Sequence, residues 1–151
     1  MKNLKKLFSQ YECKLNIHAK KDLTGLSVFP TDGVSGLAIH LYGSFDHDEL
    51  DAVNITDFST VGVKFDIVRD EEIDENLYFN MTEAMLEGKY RYMLKNNSIR
   101  DKLSHGAVYF TIGNEHEPLV RDFRCTDQRT LKQMYREGKL KTTAYKRVIS
   151  S

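Results

Sequence analysis

The chain is poor in residues that staple, kink or anchor a protein: Cys 2, Pro 2 and Trp 0 among 151 residues. Two cysteines, Cys13 and Cys125, lie far apart in a chain large enough to fold without staples. That excludes a disulfide scaffold and predicts reduced thiols in a cytoplasmic protein. With 40% hydrophobic and 29% charged residues, the composition excludes a disordered or collagen-like chain. No apolar run approaches a membrane span. The first eleven residues hold three lysines but no apolar run longer than Leu7-Phe8, so no secretory signal is expected there. Lys+Arg 22 against Asp+Glu 22 gives a formal charge of zero, which excludes a polycation built to coat nucleic acid.

Catalytic and cofactor signatures are missing too. There is no HExxH or CxxC pair and no twelve-residue calcium loop. Gly33 and Gly36 have no third glycine in register, and Gly138-Lys139 is followed by Leu140 instead of a hydroxyl residue, which excludes the dinucleotide fingerprint and the P-loop. No Gly-x-Ser-x-Gly elbow occurs. No cofactor and no catalytic residue are therefore expected. The densest collection of hard ligands is Asp46-His47-Asp48-Glu49 with Asp51 beyond, and His40, His105 and His116 elsewhere. Such a set suits a divalent cation, and it suits equally the acidic, N-capped start of a helix. Cys13 and His18 are an odd number of residues apart on a strand, so they point to opposite faces.

What is present is hydrophobic periodicity. Leu4, Leu7 and Phe8 predict a short basic helix over residues 1–9. Tyr11, Cys13, Leu15, Ile17 and Ala19 alternate with polar residues and predict a half-buried strand. Further strands are predicted over 26–29, 36–45, 61–67, 107–112 and 119–125, the last two as a hairpin, with a tight turn at Pro30-Thr31-Asp32-Gly33. In the third strand Leu37, Ile39 and Leu41 share one face, and Ala38, His40 and Tyr42 the other; Gly43-Ser44 ends or bulges it. Helices are predicted from His47 to Val53 with Asp46 as cap, from Asn80 to about Lys95, from Ser98 to Gly106, from Thr126 to Gly138 and from Leu140 to Ile149. The length suits one domain. The expected class is α+β, a single domain with a mainly antiparallel sheet of about five or six strands and helices concentrated in the C-terminal half.

Charge is strongly segregated along the chain. From Asp46 to Glu87 thirteen acids face two bases, a net charge of −11. Leu119 to Ser151 carries nine bases and three acids, and residues 1–22 six bases and two acids, for +6 and +4. Two functional readings follow. The acidic run, above all Asp70, Glu71, Glu72, Asp74 and Glu75, suits docking on a basic protein or nucleoprotein complex. Alternatively Arg129, Lys132, Arg136, Lys139 and Lys141 contact nucleic-acid phosphates, with Tyr135 and Tyr145 available for stacking. Mutual neutralisation of the segments in the fold is a third account. Thr130 to Leu140 resembles the helix-Gly-Lys ending of excisionase-like winged-helix proteins, over that stretch alone. The expected function is non-catalytic macromolecular binding, as an inhibitor or adaptor of a nucleic-acid-processing complex of the mobile-element anti-defence type. A metal-dependent enzyme at Asp46–Glu49 is the remaining alternative.

Overall fold

A computed structural model describes residues 3–20, 23–46, 48–50, 52–61, 63–65, 76–95, 107–124 and 144–149. Two antiparallel sheets carry the fold. The first has five strands in sequence order: β1 (Cys13–Lys20), β2 (Leu23–Pro30), β3 (Ile39–Phe45), β4 (Ala52–Thr60) and β5 (Val63–Lys64). The second joins β6 (Tyr90–Lys95), β7 (Ala107–Gly113) and β8 (Pro118–Arg124). Two short helices complete the described elements, α1 (Leu4–Phe8) and α2 (Leu77–Leu86). The mainly antiparallel α+β class holds. Among the described residues, however, the helices do not gather in the C-terminal half, and the strands divide between two sheets.

Four local corrections bear on that difference. Where a helix is predicted from His47 to Val53, the described residues form a turn and then the start of β4. The Asp46 carboxylate accepts from the Asp48 and Glu49 amides (2.7 and 3.2 Å) and Leu50 N–H closes one helical ring onto Asp46 C=O at 2.9 Å. Leu50 then takes φ 54, a left-handed conformation that stops propagation, and β4 begins at Ala52. Of the strand predicted over 61–67, Val63–Lys64 forms β5, while Val61 at φ 44 lies in the turn where the chain reverses so that Thr60 faces Val63; residues 62, 66 and 67 lie outside the described residues. The helix predicted to reach Lys95 starts at Leu77 and ends at Leu86, with Asn80 inside it instead of capping it. Tyr90–Lys95 instead pairs with β7. Residues 144–149 are extended, with Arg147 bridged to Tyr11, so the helix predicted over 140–149 does not form there. The helices predicted at 98–106 and 126–138 lie outside the described residues.

One core unites the elements. Leu26 and Val28 of β2, Ile39 and Leu41 of β3 and Phe58 of β4 turn inward from the first sheet; Val108, Phe110 and Ile112 turn inward from β7. Phe65 bridges the sheets, its ring 5.6 Å from Phe58, 5.4 Å from Phe110 and 4.5 Å from Phe123. Met81, Met85 and Leu86 of α2 are fully buried in the same cluster. Each such side chain contributes about 1.5–3 kcal/mol by leaving water. α1, five residues long, is too short to persist alone. Tertiary contacts hold it: Leu4, Leu7 and Phe8 are buried, and Leu4 N–H donates to Leu50 C=O at 3.2 Å.

Candidate functional site on the outer face of the five-stranded sheet

Register decides which side chains meet. Leu26 lies opposite Ile17 and Leu41, and Val28 opposite Leu15 and Ile39, so these rows share the core side. The alternate rows face away from the core. One runs Asn16, Ser27, His40, Ser59, Lys64 across all five strands; the next runs His18, Gly25, Tyr42, Asp57. Lys14 and Phe29 form a third. Two histidines, two further aromatic rings and several small polar residues thus come to one face. His40 and Tyr42 are legible from sequence as neighbours on one side of a strand. His18 joins them only through register, and sequence periodicity carries no signal for that.

Gly25 makes the cluster possible. A Cβ there would overlap the His18 ring and the edge of Tyr42, so the glycine leaves a gap through which His18 reaches across β2. Its Nε2 lies 3.3 Å from the Tyr42 hydroxyl, and the rings meet edge to face at 5.6 Å. In the next row the Ser27 hydroxyl and His40 Nδ1 share a hydrogen bond of 2.8 Å, with the Phe29 ring edge-on to His40 at 5.9 Å. That bond satisfies a Ser27 side chain that is only 7% exposed. Burial pushes the His40 imidazole below its ordinary pKa, and the charge of His18 adds to the effect. His40 is therefore neutral near pH 7. A hydroxyl so enclosed is a poor nucleophile toward a bulky substrate, whereas Phe29, 39% exposed beside the partly exposed His40 and Tyr42, offers contact surface.

The other candidates are placed as follows. Asp70, Glu71, Glu72, Asp74 and Glu75 lie outside the described residues, as do Arg129, Lys132, Arg136, Lys139 and Lys141. In the Asp46–Glu49 stretch the Asp46 carboxylate caps the turn, and Lys5 Nζ donates to Asp48 C=O at 3.2 Å, a local meeting of basic and acidic segments. His47 and Asp51 lie outside the described residues. Among the described residues no three His, Cys, Asp or Glu gather as a metal-ligand set. Cys13 packs on the core side, its Sγ 3.5 Å from Phe8 C=O, and burial raises its pKa, the behaviour of a small hydrophobe. A cleft of about 480 Å³ lies between Tyr11, Leu86, Tyr145 and Arg147, where the Glu87–Lys89 ion pair (2.9 Å) largely cancels its own charge. Among the described residues no helix is long and apolar enough to cross a membrane. Comparison with protein-family models, curated proteins and solved structures gives no match.

Proposed function

We propose that the chain acts by binding another macromolecule, as an inhibitor or adaptor that turns its acidic run toward a basic protein or nucleoprotein complex. The observation that carries this reading is the charge segregation: a formally neutral chain holds −11 within residues 46–87. Like charges concentrated in one stretch repel each other and destabilise a fold unless a complementary surface meets them. Asp46, Asp48 and Glu49, at the start of the run, are exposed. A nucleic-acid-processing complex, the target of a mobile-element anti-defence inhibitor, supplies such a basic surface by analogy of chemistry. Recovery from nuclease-treated source lysate tests the reading. The unmodified chain is expected to retain a protein partner, and a variant with Asp70, Glu71, Glu72, Asp74 and Glu75 changed to lysine to lose it. Equal recovery by both overturns the named site.

The outer sheet face favours a second reading, direct contact with single-stranded nucleic acid. Bases stack on aromatic rings for about 1–3 kcal/mol each, and Phe29, His40 and Tyr42 lie close together beside Lys14. Under this reading an oligonucleotide binds with an affinity that falls steeply with salt, and Phe29→Ala weakens it about tenfold, roughly 1.4 kcal/mol. Fluorescence anisotropy with a labelled single strand measures both. No binding at low salt removes this reading and leaves the first intact.

A further inference from the structure

The sheet edges are protected unequally. β5 is two residues long, and β8 starts at Pro118, slips register twice against β7 and holds Asp122 at φ 51. Short strands, prolines, bulges and charged side chains, lysine above all, are the devices that keep an edge from pairing with another chain. β1 carries Lys14 but is neither short nor interrupted: it runs eight residues in unbroken register with β2, without proline or glycine. Among the described residues β2 is its one ladder partner. Thr31 N–H donates to Glu12 C=O beside the Cys13–Pro30 pair. By the alternation of an antiparallel ladder, the even-numbered residues of β1 then bond to β2, and Cys13, Leu15, Ile17 and Ala19 turn their N–H and C=O groups to the other edge. The side chains of these same residues lie on the core side. Their cross-strand partners Leu26 and Val28 are fully buried, yet Leu15 and Ile17 are 39% and 36% exposed. Core-side apolar surface thus continues past the point where the described chain covers it.

We propose that β1 pairs antiparallel with β1 of a second copy, joining two five-stranded sheets into one across a two-fold axis. Such an axis, perpendicular to the sheet, keeps core side with core side only if it passes through a residue. Three registers place it near the middle of the strand, and charge separates them. An axis at Ile17 sets Lys14 against Lys20, a like-charge pair. An axis at Leu15 sets Ala19 and Lys20 against Tyr11 and Gln10, which precede β1, and so leaves the end of the strand without a strand partner. An axis at Asn16 pairs Glu12 with Lys20 at both ends, Leu15 with Ile17 twice, and Lys14 with His18. It uses the whole strand and opposes unlike charges, so the occupant is a second copy in the Asn16 register. The two outer faces, with their Asn16–Lys64 rows, then run together at the axis.

The test uses the full chain. In the Asn16 register residue 16 faces its own copy in a non-hydrogen-bonded pair, with Cα atoms about 4.5 Å apart, inside disulfide range. Residue 14 lies about 13 Å from its copy, four residues along the strands. With Cys13 and Cys125 changed to alanine, mild oxidation is expected to link Asn16→Cys into a covalent dimer and to leave Lys14→Cys monomeric. Sedimentation equilibrium is expected to give twice the 17.5 kDa chain mass for the unmodified protein, and a monomer of unchanged circular dichroism for Ile17→Lys. A monomer at all concentrations overturns the proposal. So does a dimer that survives Ile17→Lys, or one that cross-links at residue 14 and not at 16. Should Ile17→Lys fail to fold, the two cysteine variants decide alone.

Discussion

His40 shows how one residue's surroundings set a property of the whole chain. Its ring lies on the outer face with Ser27 on Nδ1 and Phe29 at its edge, and both burial and the charge of His18 disfavour its protonated form. In the unfolded chain it protonates near its ordinary value of about 6.5. Below that pH the unfolded state binds more protons than the folded state, so stability falls with falling pH, and the loss levels off once pH passes below the lowered folded value. Facing groups are His18 and Lys14 on β1, Tyr42 on β3, Asp57 on β4 and Lys64 on β5. Urea unfolding between pH 7.5 and 5 is expected to show stability dropping on acidification, with a smaller drop in His40→Gln. An identical slope in that variant would assign the dependence to other groups. Ser27→Ala takes away one of the polar partners of the Ser27–His40 bond and is expected to cost about 1 kcal/mol at neutral pH.

At the scale of elements, chain reversals decided how much could be read in advance. Strands with clean alternation were legible: β1, β3, β7 and β8 all lie where period two places them. β4 was not, because it contains a bulge. Tyr42 pairs with Asp57 but Gly43 pairs with Ile55, so Thr56 is extra, and Ile55 and Phe58 both reach the core from positions of opposite parity. A period-two template cannot register that. Nor does half-burial follow from alternation alone, since Leu15 and Ile17 are apolar in pattern yet exposed at an edge. None of the proposed binding residues on the two charged segments was fixed by periodicity; they came from charge, which says nothing of position. The end of α2 was missed: the pattern predicts a helix running through Gly88 to about Lys95, and Gly88 is what stops it. This glycine takes φ 75 after Glu87; its N–H donates to Met85 C=O at 3.2 Å, and Lys89 N–H donates to Ala84 C=O at 2.8 Å. This is the paired-bond arrangement of a glycine helix cap, and it turns the chain from helix into β6. Gly88→Ala forces a Cβ into the left-handed region and is expected to cost about 1–2 kcal/mol, with Gly88→Asn costing less. The shift in urea midpoint at constant m-value measures it.

For the whole molecule the decisive contact comes from residues 144–149. Tyr145 N–H donates to Leu86 C=O at the end of α2 (2.9 Å), while its hydroxyl lies 2.6 Å from Leu37 C=O and 3.2 Å from Val28 C=O in the first sheet. Its ring is 2% exposed and belongs to the common core, and burial holds the phenol far above its usual pKa. On either side Glu12 N–H donates to Lys146 C=O at 2.7 Å and Val148 N–H to Gln10 C=O at 3.0 Å. The exposed Lys146–Asp32 pair at 3.4 Å adds little. One residue thus joins the segment to a helix end through its backbone, and to β2 and the chain just before β3 through its hydroxyl, in a core that both sheets share. Removing its hydroxyl takes away the single O–H that these two carbonyls share, so Tyr145→Phe is expected to cost about 1–3 kcal/mol, and Tyr145→Ala about 3–5 kcal/mol by adding a cavity. Because the core is continuous, the loss belongs to global unfolding. Amide exchange of Leu41 in the first sheet and of Ile112 in the second is expected to accelerate by the same factor in Tyr145→Phe. Acceleration confined to Glu12 and Val148 would instead make residues 144–149 a strap that opens by itself, with the two sheets standing without it.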